Sequence, residues 1–580
     1  MPPTGSFLRK CRFQFSAHEK LNTTNAIVKK DPPAQALPAC SSPVTGTRPM
    51  QFPSPTPYPS QRSAVLANNM VVASHPLAGQ AGLSMLAQGG NAVDAVLAAA
   101  ITLTMVEPTG NGLGSDAFAI LWDGKEVHGL NASGRSPSGW TPDRFAGTDG
   151  IPDRGWETVT VPGAVGGWAE LSNRFGSLPF EVLFEPAIGH AQNGFYVSPI
   201  IGKYWGIGSQ LLKDQPGFAD QFMPGGRAPR AGEKFYNPNG ATTLRDIAES
   251  KGESFYRGDL AEKIAADAMK HGAALSLEDL AANQADWCGT VSQGFDNVEL
   301  HEIPPNGQGI AACMALGMLA DTNIRDFGPD DPEALHLMWE AMKLAFRDSA
   351  AFVADPDCMG KITTSDLLDS SYLASRAKLI DPNKAQDFES GAPRQGGTVC
   401  LSAADSNGMM ISFIQSNYAG FGSGVVVPET GIHLQNRGCG FSLEPGHPNI
   451  VAPGKRPFHT IIPGFLMAGD QPRMAFGVMG GMMQAQGHVQ MVLRTQLWGQ
   501  DVQTAADAPR WRVTEGLGVS CEKTMNPAVM ESLSALGHDI LIEEPDLAFG
   551  FGGAQLIHCL EGGGYAGGSD PRKDGGAYGF

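Results

Sequence analysis

The chain has 580 residues, 42% hydrophobic and 17% charged, with 73 glycines and 42 prolines, which excludes a coiled coil or a wholly disordered polypeptide and calls for two domains or one large layered domain rich in tight turns. A formal net charge of -18 opposes approach to nucleic acid or an anionic membrane, so small molecules are the expected partners. Nine cysteines without a C-x-x-C pair exclude a readable zinc knuckle or disulfide framework and suit a reducing, cytoplasmic location.

In chain order, Arg9, Lys10 and Arg12 are followed by polar sequence rather than an apolar segment, so no secretory signal is read. The run "PPAQALPACSSPVTGTRPMQFPSPTPYPS" can neither form a helix nor pack, and residues 1–62 are expected to be a disordered Pro-rich extension, with Met50 an alternative start. Order is expected from residue 63: a strand at Asn69–Ser74, then two helices separated by Gly89-Gly90, the second capped by Asn91. That second helix, Ala92–Val106, is the most apolar stretch. It contains Asp94 and falls short of the roughly 20 residues a bilayer needs, so it reads as a buried helix.

"TGNGLGSDAFAILWDG", from Thr109, is a Gly-rich loop entering a strand, without the G-x-G-x-x-G spacing and following helix of a nucleotide site. Trp156 to Asp286 reads as helices between Gly/Pro loops, and "PEALHLMWEAMKLAFRDSAAFV" as an amphipathic helix. "AQDFESGAPRQGG" (385–397) reads as an exposed tether. Strands follow at "MMISFIQS", "GSGVVVP", "GIHLQN" and "RMAFGV", and "HVQMVLRTQLWGQDVQTAADAPRW" restores a helix. Helices outside and short strands within predict a layered α/β arrangement, with no repeat.

The chemistry centres on Gly396-Gly397-Thr398. A threonine hydroxyl is a poor nucleophile unless a base takes its proton. Cutting the Gly397–Thr398 peptide would give Thr398 a free α-amine with a pKa of roughly 7.7 to 8.0, suited to general-base work at neutral pH. One residue would then supply nucleophile and base. The glycines before it tolerate the backbone conformation that self-attack needs.

Six blocks, in order, resemble the γ-glutamyltranspeptidase family of self-cleaving N-terminal nucleophile hydrolases: "GGNAVDAVLAAAITLTMVEP", "TVCLSAADSNG", "FGSGVVVPETGIHLQN", "APGKRPFHTIIP", "GGMMQAQ" and "GGSDPRKDGGAYG". The likeness runs from about residue 63 to the C-terminus. It implies a four-layer αββα sandwich, maturation into segments 63–397 and 398–580 that stay together as a heterodimer, and no cofactor. It also implies site roles: Thr398 as nucleophile, Ser416 as hydrogen-bond partner of its amine, and Gly480 and Gly481 as backbone oxyanion donors. No metal is expected either, since His433, His447 and His459 share no i, i+4 spacing and no H-E-x-x-H occurs. The sequence sets no limit on further homo-oligomerisation.

The head-group positions depart from the family. The family arginine that grips an α-carboxylate falls on Ser133, with Arg135 two residues on. The family aspartate that pairs with the ammonium falls on Gly440, and a neighbouring Gln/Glu position is Arg437. Tyr418 stands for an asparagine, and His459-Thr460 for a Ser-Ser pair. Arg437, Tyr418, His459, Thr460, Arg135 and Ser133 are therefore the expected substrate contacts, favouring a carboxylate or neutral polar head over a zwitterion. The expected function is a self-cleaving threonine amidohydrolase or acyltransferase acting on γ-glutamyl amides such as glutathione. The alternatives are an acylase of the same fold for oxamate-, glutaryl- or cephalosporin-like amides, and an uncleaved binding protein.

Overall fold

Period-two alternation along Gly397–Ala404 sends Val399, Leu401 and Ala403 to one side and Cys400 and Ala404 to the other, and both sides are buried. Such a strand needs cover on two faces. In this computed structural model, which describes residues 58, 62–148, 150–388, 397–544 and 550–580, a second sheet covers one face and helices the other.

The first seven-stranded sheet runs Gly576–Gly579, Met70–Ala73, Gly397–Ala404, Met410–Tyr418, Asp116–Trp122, Val127–Ala132 and Asp286–Trp287. The second runs Val65–Ala67, Tyr565–Ser569, Gly553–Cys559, Gln471–Met479, Gly464–Ala468, Val298–Glu302 and Val291–Phe295. All pairings within the two sheets are antiparallel. Segments from before and after residue 398 interleave in both, so the two expected fragments share each sheet.

Met70, Phe118, Cys400, Ile414, Phe465 and Ala475 pack between the sheets. The sheets approach so closely that a Cβ on Gly477 would lie 2.3 Å from the Cys400 sulfur. Helices Ala92–Val106 and Ala164–Phe175 cover the outer face of the first sheet, and Gly309–Ala320, Pro332–Phe352 and Met483–Val492 cover that of the second. The αββα sandwich is thereby observed.

Ala92–Val106 is buried along its whole length, as its composition predicts. Asn91 and Asp94 form its capping box, and Asp405 reaches from the turn after the Thr398 strand to accept the Ala92 N–H at 2.9 Å. The hairpin that follows Thr398 is thus tied to the central helix. No helix among the described residues is long and apolar enough to cross a membrane.

Three expected elements differ. "GSGVVVP" and "GIHLQN" are not strands but a folded loop, joined to itself by an isolated bridge of Val426 with His433 and to its surroundings by one of Leu434 with Gly114. Positive φ at Phe421, Gly422, Gly424, Glu429 and Gly431 breaks the extended path that the Val run alone suggests. The helix expected over 488–511 widens into a π turn at Leu493–Leu497 and stops before Gly499 (φ 66°), restarting at Val502. Of the expected tether, Ala385 and Phe388 are buried against the body, and residues 389–396 lie outside the described set, as does the 1–62 extension apart from Tyr58 and Arg62.

Candidate active site

Thr398 sits where the register between its strand and the next slips: Gly397 faces Tyr418 and Val399 faces Gln415, so Thr398 alone stands opposite Ser416 and Asn417, a bulge in the partner strand. Its side chain is fully buried, with Oγ1 3.0 Å from Ser416 Oγ. Ser416 Oγ also accepts the Tyr418 N–H at 2.8 Å. Tyr418 has φ 76°, rare for a bulky residue, and this turn swings its ring away from the strand.

Gly480 (φ 136°) and Gly481 (φ 61°) make the corner between strand Gln471–Met479 and helix Met483–Val492. Both angles lie where a side chain would be strained. Their carbonyls accept helix N–H groups from Met483 and Gln484, while among the described residues neither glycine N–H donates to a protein acceptor. Two free donors at the start of a helix form a place for negative charge. Gln308 braces the corner, its Nε2 donating to the Gly481 carbonyl at 2.8 Å and to that of Thr460.

Beside this corner lies a cavity of about 310 Å³, walled by Tyr418, Arg437, Cys439, Phe441, Thr460 and Met482 among others. Arg437 is 2% exposed. Its Nη1 donates to Thr460 Oγ1 at 2.9 Å and its guanidinium lies 4.8 Å from the Tyr418 ring centroid. Nε and Nη2 are buried without a hydrogen-bond partner among the described residues. Burial lowers Arg437 to about 10, although Asp116 pulls the other way. The cavity wall contains no aspartate or glutamate.

The other expected head-group residues lie elsewhere. Ser133 donates to Asn131 Oδ1 at 2.7 Å, and Arg135 forms an ion pair of 3.1 Å with the buried Asp355. Both line a separate groove. His459 is fully buried, with Nε2 3.1 Å from Asp116 Oδ2, Nδ1 accepting the Ile461 N–H, and its ring edge-on to Phe118. Burial, with Arg437 and Arg456 nearby, holds His459 well below the ordinary imidazole range. It is a neutral core residue rather than a cavity wall. Arg437, Tyr418 and Thr460 are brought together; His459, Arg135 and Ser133 are not.

Asp116, Gln308 and Gln484 escaped the sequence reading. The first lies opposite Ser416 in the next strand, and the second comes from a loop far upstream in the chain. Gln484 stands inside a quoted block, but nothing local marks its amide as pointing at Thr398, whose Oγ1 lies 3.5 Å from its Nε2.

Burial raises the Asp116 carboxyl from 3.8 to about 6, opposed by Arg437 and by the Gly134 and Gly163 N–H groups. The folded chain therefore holds this proton to higher pH than the unfolded one. Between pH 3.8 and about 6 the Asp116 contribution to stability should fall as pH rises, by on the order of 2–3 kcal/mol. Denaturant unfolding at pH 4, 5 and 6 should show a steeper loss in the unmodified protein than in Asp116→Asn.

The expectation of no metal meets one buried cluster, His336, Glu340 and His538, whose ligand atoms lie within 4.8 Å of one another. Lys343 Nζ stands 2.8 Å from Glu340 Oε1, and the two imidazoles hydrogen-bond each other at 2.8 Å. An ammonium already holds the place of a cation. Cys288, Cys313, Cys358, Cys400 and Cys521 carry free thiols. The charges of the closing block serve the core: Asp570 pairs with Arg510 and Arg572, and Lys573 faces Glu107.

The family model for gamma-glutamyltranspeptidase matches residues 78–580. The chain belongs to the gamma-glutamyltranspeptidase family. Within it, the chain is 35% identical over 530 residues to the glutathione hydrolase-like YwrD proenzyme of Bacillus subtilis (90% of this chain, 100% of that one). It is 36% identical to the oxamate amidohydrolase proenzyme of Klebsiella pneumoniae (89% and 99%). The cephalosporin acylase structure from Bacillus halodurans superposes with a TM-score of 0.86 at 45% identity, covering 92% of this chain and 99% of that one. The fold is that of the family's N-terminal nucleophile hydrolases, and an amide-cleaving enzyme is the coarse function these relatives share.

Proposed function

We propose that this chain is a self-cleaving threonine amidohydrolase whose acyl group carries a carboxylate and no ammonium. One observation carries the reading: the buried Arg437 lines a cavity without an acidic side chain, its Nε and Nη2 have no hydrogen-bond partner among the described residues, and Tyr418 of the same wall faces Gly397 across the strand pair. A carboxylate would pair with that guanidinium, whereas an ammonium would meet a cation and no counter-charge. Phe346, Val353, Phe441, Phe458 and Met482 give the wall an apolar share, beside Ser349, Ser442, His447 and Asn449, that suits a non-polar part of the substrate.

In maturation, Thr398 Oγ1 attacks the Gly397 carbonyl carbon, the peptide C–N bond breaks as nitrogen takes the hydroxyl's proton, and water hydrolyses the resulting ester. The freed α-amine of Thr398 then serves as base, while Ser416 Oγ, 3.0 Å away, holds the nucleophile's own hydroxyl. In turnover Oγ1 attacks the substrate amide, Gly480 and Gly481 N–H groups receive the oxyanion, the amine leaves with the proton, and water releases the acid. An amine in place of water would give acyl transfer. Similarity to the glutathione hydrolase-like protein keeps γ-glutamyl amides as a second reading.

The test is a denaturing gel with N-terminal sequencing, followed by an amide panel. The expected result is two pieces, one beginning at Thr398, with oxamate- and glutaryl-type amides hydrolysed faster than γ-glutamyl amides. A decisive preference for γ-glutamyl amides would overturn the substrate reading. An intact, inactive chain would overturn the enzyme and leave the binding-protein alternative.

A further inference from the structure

Thr398 Oγ1 has a second polar neighbour besides Ser416. Gln484 lies one helical turn beyond the Gly480-Gly481 corner, fully buried, on helix Met483–Val492. Its Oε1 accepts the Ile462 backbone N–H at 3.0 Å. An N–H can meet only the oxygen end of an amide, so the NH₂ end is assigned to the opposite side, where it stands 3.5 Å from Thr398 Oγ1. The direction of the amide thus follows from the Ile462 contact rather than from the long Thr398 contact itself.

We propose that Gln484 is a catalytic residue, donating from Nε2 to the Thr398 oxygen as that oxygen loses its proton in self-cleavage and in amide hydrolysis. The inference rests on the threonine mechanism above. During attack the Oγ1–carbonyl bond forms, the C–N bond breaks and the proton passes to the departing nitrogen. Before the new bond is complete, Oγ1 carries partial negative charge, and an N–H aimed at it lowers the energy of that state more than of the neutral hydroxyl. A donor also occupies one lone pair, leaving the hydroxyl proton to point toward Ser416 Oγ at 3.0 Å.

Placement on this helix has a further consequence. The corner that offers the oxyanion donors and the amide that touches the nucleophile belong to one short rigid element, so the spacing between attacking oxygen and developing oxyanion is held by a single helical turn. The Ile462 contact anchors that turn to the chain beside Thr460, which in turn holds Arg437. Nucleophile, oxyanion corner and head-group cation are thereby braced together.

The first variant is Gln484→Glu, which keeps the acceptor for Ile462 N–H, removes the donor and, when ionised, sets a negative charge beside Thr398 Oγ1. In the full-length protein at neutral pH, self-cleavage and kcat should each slow by about 10²-fold, the loss typical of one such donor, with KM within about twofold. A protonated glutamic acid regains an O–H donor, so the ratio of variant to unmodified rate should rise on acidification. A purely structural role for Gln484 would leave that ratio flat, and a flat ratio overturns the proposal, as would cleavage and turnover of the variant within twofold of the unmodified rates at neutral pH. Should Gln484→Met, which lacks both functions, misfold, the pH ratio of the Glu variant still decides. If the unmodified chain is not cut before Thr398, the underlying threonine mechanism fails instead, and the gel distinguishes the two.

Discussion

Thr398→Ala is expected to remain a single full-length band and to hydrolyse no amide of the panel. The reason is that one side chain is asked to perform two reactions in succession, first on its own upstream peptide and then on substrate. Without Oγ1 there is no atom to receive the Gly397 acyl group, and without the cut there is no α-amine to act as base. Loss of a nucleophile in a concerted set typically costs about 10⁴- to 10⁶-fold, so both bands and product should vanish together. Thr398→Ser keeps hydroxyl and amine and should still yield two bands, more slowly, because the γ-methyl no longer holds the rotamer in the packed space between the sheets. The measurement is a time course on a denaturing gel with mass determination of the fragments. Thr398→Ala cutting at Gly397–Thr398 like the unmodified protein would end the mechanism. Thermal unfolding of Thr398→Ala should remain a cooperative transition, separating lost chemistry from lost folding.

Arg437→Met should act in opposite directions on stability and on catalysis. In the free protein the guanidinium is buried with Nε and Nη2 unpartnered, and burial depresses its pKa to about 10. Replacing such a charge with an apolar side chain of similar length removes a desolvation cost and should stabilise the fold by about 1–3 kcal/mol, read as a shift in the denaturant midpoint. Turnover of a carboxylated amide should fall, because the substrate carboxylate would be buried without its partner. A cost of about 2–4 kcal/mol corresponds to a 30- to 1,000-fold loss in kcat/KM, expressed mostly in KM, since the contact is made in ground and transition states alike. Neutral amides of the same size should be nearly unaffected. Equal losses for neutral and carboxylated amides would show that Arg437 holds the cavity's shape rather than reading a charge. A fall in stability on removing it would show that Thr460, the Tyr418 ring and the charge of Asp116 together outweigh the cost of burying the cation.

The layered fold and the hydroxyl proposed to react were both legible along the chain. Ala92–Val106 announces itself as a buried helix by composition, and its Asn91 cap by position. The strands at Met410–Tyr418 and Gln471–Met479 follow from short, largely apolar runs, each preceded by a Gly-containing turn. The loop from Phe421 to Asn436 was misread because a valine run favours a strand only where neighbouring φ angles allow one, and positive φ at a phenylalanine and a glutamate is decided by contacts that no local pattern reports. Arg135 and Arg437 looked like comparable head-group candidates. They separated only when Asp355, far away in the chain, proved to hold the first, while the second turned inward with two donors free. His459 looked like a binding residue for want of any sign that Asp116 would meet it.

Taken by itself, the sequence determined what chemistry is on offer: a hydroxyl behind two glycines, a glycine pair ahead of a helix, and a family order of blocks. These are properties of bonded neighbours, carried by backbone freedom and side-chain type. The tertiary structure alone decided which cation faces the cavity, which histidine is taken up by the core, and which amide touches Thr398 Oγ1. Those outcomes depend on burial and on partners from distant segments, where removing water makes one satisfied or unsatisfied N–H group worth more than any local preference.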